Sequence, residues 1–512
     1  MVVSLSGPGP LYQQIYRAIR QSIRSGRLRP GSRLPPTREL ALQLGVSRNV
    51  VVTAYETLAA DGYLLSQVGA GTTVASDLPD GTVADLAEPA LPPAGQGIAS
   101  PLPVHGVLSA YAERALTVCR EEEEPTDPLP YDFSYTRANI EDFPGKIWRR
   151  IEARHLKSMP VCPETSQGNV VLRTGIAAHI RRSRGVVCQT DQVLPMNGTQ
   201  QALDLAARVL VDPGGAVLME EPHYPAAREV FQALGARIVT IPVDRQGLVV
   251  DRLPAPDGSV QLVYLTPSHQ FPTGAILSLE RRAALLNWAA AAGSYILEDD
   301  SDGDYCYDGR PIEALQGMDG AERVLYMGTF ARSPVSSFRM AYLVVPWACR
   351  PAFTTAKRLA EWHCSPIPQR VMASFLAEGH FERYLRRSRA RNHLRRDTLL
   401  DAVQRNFPGA TEVLGQHSGT HVFLRFPSIP AVFAVTIARV AAERGVRILP
   451  SSNCYIGRPQ CAEFLLGYNG MPQTEIGPAI GLLRSAMTPW ISDEAPESYT
   501  GQYAGTQSEQ RF

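Results

Sequence analysis

From about residue 131 onward, short apolar runs alternate with amphipathic helical stretches, and this alternation constrains the fold of the 512-residue chain more than any other feature. The runs AVLMEE (216–221), QLVYLT (261–266), SYILEDD (294–300) and RVLYMG (323–328) are separated by helical patterns such as GTQQALDLAARVLVD (198–212) and SLERRAALLNWAAAAG (278–293). Uninterrupted hydrophobicity over five or six residues suits a strand covered on both faces, and strands alternating with helices build a parallel, doubly wound sheet. In such a sheet, ligand sites lie beyond the C-terminal ends of the strands.

Residues 1–76 follow a different pattern. Leu11, Ile15, Ile19 and Ile23 recur every fourth residue and predict one helix face. PTRELALQLG predicts a second short helix with Thr37 as N-cap candidate and Gly45 as stop. SRNVVVTAYETLAADG predicts a third, opened by Ser47 and closed by Gly62. YLLSQVGAGTTVA then predicts a hairpin turning at Gly69, Ala70 and Gly71. Two short helices joined by LGVSR, followed by a hairpin, form a winged helix-turn-helix. Its second helix can enter the major groove with its first turn against base edges. There Arg48 and Asn49 offer donors suited to guanine and adenine, while Arg38 and Arg33 are placed for phosphates. Gly69 and Gly71 let a wing tip approach the minor groove. The competing reading is a surface-charged helical bundle.

Charge supports the nucleic-acid reading. Formal net charge is zero over the whole chain, but residues 1–75 carry eight arginines against Glu39, Glu56 and Asp61, a balance of +5 (8 − 3). Residues 77–130, rich in Pro, Gly, Ala and acids, read as a linker with one helix near 106–120. The effector domain is expected over 131–490 and a polar, disordered tail over 491–512. No apolar run of about 18 residues is present, which argues against a transmembrane helix. The N-terminus lacks a basic region followed by an apolar core, and the eight cysteines contain no CxxC pair. Together these predict a cytoplasmic protein with reduced, mostly buried thiols.

Several short strings in the large domain carry chemistry. In MNGTQQAL, Gly198, Thr199 and Gln200 stand where a strand turns into a helix, and free N–H groups there favour a phosphate. A plain turn would use the same residues. Tyr224 in EEPHYP offers a ring to stack on a pyridine, or equally a core tyrosine. SYILEDDSD ends a buried strand on Asp299. The run DDSDGD resembles a calcium loop but fails as one, because Tyr305 holds its glycine position and Pro311 its twelfth. No metal site is expected.

The string LYQQIYRAIRQSIRSGRLRPGSRLPPTRELALQLGVSRNVVVTAYETLAADGYLLSQVGAGTTVA closely resembles the GntR-type winged helix-turn-helix. That resemblance implies that Arg38, Ser47, Arg48, Asn49 and Gly69 face DNA in a dimeric, sequence-specific regulator. The segments around Gly198, Tyr224, Asp299 and Arg339, with TPSHQFPTG at 266–274 and FERYLRRSR at 381–389, resemble fold-type I aminotransferases. The two halves together look like the MocR/GabR subfamily. This implies a fold-type I aminotransferase-like α/β domain with a mostly parallel sheet and a smaller C-terminal subdomain, arranged as a head-to-tail homodimer. It also implies pyridoxal phosphate, with Asp299 on the pyridine nitrogen and Arg339 on the phosphate, and a small-molecule effector.

Four positions depart from the family's pattern. In VLYMGTFARSPVSSFRMAY (324–342), after a strand and a Gly-Thr-Phe turn, the Schiff-base lysine of the family is replaced by Arg332. A guanidinium stays protonated and cannot form that imine. The tyrosine expected two residues after Asp299 is Ser301, the carboxylate-binding arginine matches Leu465 in FLLGYNG, and the usual Gly-rich loop is CPETSQGNVVLR (162–173). Only three lysines occur, at 146, 157 and 357, so 47 of the 50 basic residues are arginine and Arg332 alone would also fit codon drift. Four changes around one pocket predict lost covalent chemistry and no catalytic residues. The pocket would hold pyridoxal phosphate without a covalent bond, or another aromatic or phosphorylated anion, with Arg332 as an anion partner. The alternative is an active aminotransferase with an accessory DNA module; a third reading makes the domain a dimerisation body only.

Overall fold

The computed structural model describes residues 9–67, 71–78, 108–119, 129–137, 143–158, 165–307, 313–330 and 339–491. The chain divides into two compact units, Met1–His105 and Gly106–Phe512.

In the first unit, helix α1 (Leu11–Arg24) buries Ile15, Ile19 and Ile23, whereas Leu11 at its start is exposed. Helix α2 spans Thr37–Leu44. Thr37 is its first helical residue and Pro36 takes the cap position, so the expected side-chain cap does not form. A proline just before the first turn serves as well, because it fixes φ where no N–H partner is needed. Gly45 stops the helix in the left-handed conformation. Helix α3 (Arg48–Ala60) has Ser47 at its N-cap, ends one residue short of the expected stop with Asp61 as C-cap, and buries Val51, Ala54, Tyr55 and Leu58. These side chains share one core with α1, Leu40 and Leu64. Strands β1 (Leu64–Gln67) and β2 (Gly71–Val74) form the antiparallel wing, with Gln67 opposite Gly71. Gly69 lies outside the described residues.

The second unit opens with α4 (Ala110–Val118), whose N-cap Ser109 accepts from Ala112 N–H. The short strand β3 (Tyr131–Asp132) and helices α5 (Gly145–Lys157) and α6 (Val170–Arg184) follow. Next come β4 (Val193–Met196), α7 (Thr199–Leu210), β5 (Ala216–Glu221), α8 (Pro225–Ala233), β6 (Arg237–Asp244), β7 (Gly247–Leu248), β8 (Val260–Leu265), α9 (Leu279–Ala292), β9 (Tyr295–Asp299), β10 (Val324–Thr329) and β11 (Ala341–Val344). Their eight strands form one sheet in the order β4-β11-β10-β9-β8-β5-β6-β7. The pairs β10–β9, β9–β8, β8–β5 and β5–β6 are parallel, and β11 runs antiparallel to both of its neighbours. The four apolar runs singled out in the sequence are β5, β8, β9 and β10, the centre of the sheet. Gly328 and Thr329, expected in a turn, still belong to β10 and pair with Tyr342 and Ala341. Core clusters line both faces.

A smaller subdomain follows α10 (Arg350–Glu361), α11 (Pro366–Ala377) and the long α12 (His380–Asn406). It contains β12 (Glu412–Leu414), β13 (His421–Phe426), α13 (Ala434–Glu443), β14 (Val446–Arg447), β15 (Leu449–Pro450), β16 (Ala462–Gly467) and α14 (Gln473–Ile491). Strands β12-β13-β16-β15 form its antiparallel sheet, and β14 pairs with β3. The helix expected near 106–120 is α4, which packs on α8: Arg114 Nε donates to the Ala233 carbonyl at 3.0 Å, and the Arg208 guanidinium lies 5.6 Å from the Tyr111 ring. Among the described residues no helix is long and apolar enough to cross a membrane. The seven described cysteines are free, five of them buried.

Candidate functional site

At the surface of the first unit, Ser47, Arg48 and Asn49 are consecutive and exposed at the N-terminal end of α3. Arg48 Nε reaches the Thr37 hydroxyl at 3.5 Å, a contact too long to hold the guanidinium firmly. Arg38 is exposed on α2. Arg33 bridges to Thr73 of the wing, and its guanidinium lies against Gly71, where a Cβ would come within 2.9 Å of Nε. Five exposed residues therefore stand at the start of α3, at the start of α2 and in the segment bridged to the wing.

In the second unit, the C-terminal ends of β4, β5, β8, β9 and β10 open into a cavity of about 220 Å³. Of the expected residues, Gly198, Thr199, Tyr224, Asp299 and Arg339 line it together. Gln200 is exposed and does not. Arg332 falls within 331–338, outside the described residues.

One wall carries donors that could hold an anion. Gly198 caps α7 with φ 89°, and a Cβ there would meet the Arg339 guanidinium at 3.2 Å. A side chain at 198 would therefore push the arginine away. The open first turn of a twelve-residue helix and a guanidinium converge on the same point. Arg339 itself has φ 49°, a left-handed conformation that costs a non-glycine residue free energy and that clusters at functional sites.

The opposite end is fixed around Asp299. Tyr264 Oη donates to one carboxylate oxygen at 2.8 Å; Ser301 donates to the other through its hydroxyl at 2.5 Å and its N–H at 3.1 Å. Burial, with the Asp299 charge beside it, pushes the Tyr264 phenol well above its usual range, so it remains a donor. Ser301, the residue expected to replace a family tyrosine, therefore anchors Asp299. Tyr224 meets Phe271 edge to face at 5.3 Å between centroids. Beneath them, burial raises the Glu220 carboxyl to about 7, with Asp299 pushing the same way, against hydrogen bonds from the Thr266 N–H and hydroxyl at 2.9 Å.

The floor is held by a buried ion pair. Arg184 donates to Asp300 through Nε at 2.6 Å and Nη2 at 3.1 Å, and Tyr326 Oη donates to the same carboxylate at 2.7 Å. Leu465, expected to match the family's carboxylate-binding arginine, is buried in a small apolar cluster with Phe271, Phe423 and Cys454; of these only Phe271 is among the residues lining the cavity. Among the described residues no lysine lines the cavity. Lys146 and Lys157 are exposed on α5. Lys357 is buried on α10, pairs with Glu361 and donates to the Ser166 carbonyl at 3.0 Å.

Tyr264, Thr266, His269, Phe271, Tyr135 and Asp302 also line the cavity and were not singled out as site residues. The string TPSHQFPTG was the available signal for three of them. Tyr264 gave a weaker one, a hydroxyl near the C-terminal end of an apolar strand.

Residues 11–74 match the model of the bacterial regulatory proteins of the gntR family, and residues 163–465 that of aminotransferase class I and II. The chain is 34% identical to the probable rhizopine catabolism regulatory protein MocR of Rhizobium meliloti, over 95% of each chain. It is 32% identical to the HTH-type transcriptional regulator TauR of Rhodobacter capsulatus, over 87% of this chain and 89% of that one. Among solved structures, a kynurenine aminotransferase of Pyrococcus horikoshii is similar in fold, with a TM-score of 0.66 and 24% identity over 76% of this chain and 96% of that one.

Proposed function

Because the chain belongs to the GntR-family regulators that carry an aminotransferase class I and II domain, the family of MocR and TauR, we propose that its large domain acts as a ligand sensor without transaminase activity. The protein is a DNA-binding transcription regulator. Ser47, Arg48 and Asn49 enter the major groove, Arg38 and Arg33 take phosphates, and the wing at Gly69 and Gly71 approaches the minor groove. Two copies join head to tail, so that a paired operator is read.

The observation that carries the sensor reading is the pairing of an intact anion cradle, Gly198 beneath Arg339, with a cavity lining that contains no lysine. The donor set fits pyridoxal phosphate. Arg339 and the first turn of α7 would hold its phosphate, Asp299 its pyridine nitrogen and Tyr224 the face of its ring. When bound to an enzyme this group supplies an electron sink for reactions at an amino-acid carbon. Here Tyr264 and Ser301 orient the Asp299 carboxylate, and Phe271, backed by the cluster that includes Leu465, offers an apolar face to the cavity. With Arg332 in place of lysine, the group is held by these contacts alone, or the same cradle takes another aromatic or phosphorylated anion.

Titration of the purified protein with pyridoxal phosphate tests the reading. Expected are a rise in melting temperature, since a ligand for the folded state raises apparent stability, and no pyridoxyl label after borohydride reduction. A label fixed to the protein in stoichiometric yield would overturn it. Arg332→Lys alone should restore no measurable transamination, assayed with a panel of amino acids and 2-oxoglutarate, because Ser301 and Leu465 still stand in place of the family's tyrosine and arginine.

A further inference from the structure

We propose that His269, Asp302 and His421 bind a divalent transition-metal ion of the zinc class in the inner wall of the cavity. The three side chains are buried, and one potential ligand atom from each lies within 4.8 Å of the others. They come from three separate segments: the loop after β8, the loop after β9 and the first residue of β13. Two imidazoles and one carboxylate form a donor set suited to zinc, cobalt or iron(II). Ligand atoms around a tetrahedral zinc stand roughly 3.3 Å apart, from metal–nitrogen distances of about 2.0–2.1 Å. The ion would therefore draw this set inward by a small movement.

The outer contacts are those of a metal site. His421 Nε2 donates to the Pro272 carbonyl at 3.1 Å, which places the proton on Nε2 and leaves Nδ1 as the basic nitrogen. His269 Nδ1 is bonded to the Ser418 hydroxyl at 2.9 Å, and Thr420 Oγ1 donates to Asp302 at 3.2 Å. The two imidazole rings stand edge to face, 5.1 Å apart. Gly419 makes the approach possible: with φ 83°, it sits where a Cβ would lie 2.3 Å from His269 Nε2. Tyr468 Oη donates to the Gly419 carbonyl at 2.8 Å, and Tyr307 Oη to the same oxygen at 2.7 Å, so this peptide cannot drift. His269 and Asp302 both line the cavity, so an ion held by them would stand at its wall. A divalent ion with one carboxylate adds a net positive charge to the side of the cavity lined by Phe271.

The test uses the full-length protein stripped with chelator and titrated with cobalt(II) and zinc(II). One equivalent per chain is expected, with micromolar or tighter affinity and a visible cobalt spectrum of mixed nitrogen and oxygen coordination. His421→Gln and Asp302→Asn should each weaken zinc binding at least tenfold, while His155→Ala on α5, whose ring nitrogen bonds Ser374, leaves it unchanged. Zinc should raise the melting temperature of the wild type but not of His421→Gln. If either variant fails to fold, the wild-type cobalt spectrum still decides. Failure of the stripped wild type to take up one equivalent overturns the proposal, as does stoichiometric binding that survives the His269→Ala, His421→Ala double change. The outcome is independent of whether pyridoxal phosphate binds.

Discussion

At the start of α3, Ser47, Arg48 and Asn49 are neighbours in sequence, exposed, and lightly held by their own module. In the cavity, Gly198 meets Arg339, 141 positions further on, Arg184 meets Asp300 across 116, and His269 meets Ser418 across 149. The first surface, as proposed for DNA, would meet a large polyanion that supplies its own shape and fixes the arginines on arrival. The second, read as a small-ligand site, is organised in advance: Arg184, Asp299 and Asp300 are already buried and hydrogen-bonded. A site for a macromolecule can be made from one turn of helix on a stable core. A site for a small anion needs the whole sheet.

That contrast can be broken most forcefully at Asp300. Asp300→Ala would leave Arg184 buried and unpaired, an effect of about 3–5 kcal/mol. Denaturant unfolding should show the large unit destabilised by that amount, whereas the α1–α3 core keeps its stability because it shares none of those contacts. Equal loss in both units would end the claim that the two are built separately. Next in size is Arg339→Ala, which removes a charged hydrogen-bond donor from the anion cradle. Pyridoxal phosphate affinity should fall by about 1.5–3 kcal/mol, measured by fluorescence titration, with ligand-free operator affinity unchanged. Arg48→Ala should do the reverse. Specific operator binding should weaken by about 1–3 kcal/mol in gel-shift assays while ligand affinity holds; an unchanged operator affinity would refute the docking of α3.

The smallest effect is a pH dependence confined to the large unit. His179 sits between Asp304 at 3.4 Å and Glu382 at 2.9 Å. Burial opposes its charge, but the two carboxylates win and raise it from 6.5 to about 9. A raised folded-state pKa gives stability that is fully present below 6.5 and lost as pH rises through about 9. Glu382 is partly exposed, so the contribution is about 1 kcal/mol after solvent screening. Comparing wild type with His179→Gln between pH 6 and 10 should show the difference shrink toward high pH. A difference that stays constant would assign His179 a packing role only.

The same contrast explains what could be read from the chain beforehand. The helix-turn-helix is local: Ile15, Ile19 and Ile23 repeat every fourth residue, Gly45 stops α2, and Ser47 opens α3. The four central strands were legible because each is a continuous apolar run covered on both faces. Thr37 misled because Pro36, one residue earlier, already satisfied the helix start. The antiparallel β11 was not legible, since AYLV is as apolar as its parallel neighbours and only its partners decide direction. Gly198, Thr199, Tyr224, Asp299 and Arg339 could be named from short strings beside strand ends. Tyr264 gave only a weak signal and His421 none, because their place in the cavity or its wall depends on β9 in one case and on a second subdomain in the other.

The short helix before the large sheet has a practical consequence for dissecting the molecule. Arg114 is tied to the carbonyl of Ala233 and Tyr111 lies under Arg208, so Ala110–Val118 forms part of the outer layer over α7 and α8. A fragment cut at Tyr131, where the strand-and-helix alternation begins, would strip that layer and leave freshly wetted apolar surface on α8. Cut instead ahead of Ser109, the fragment keeps both the N-cap and the cover, and is the piece to crystallise with a ligand.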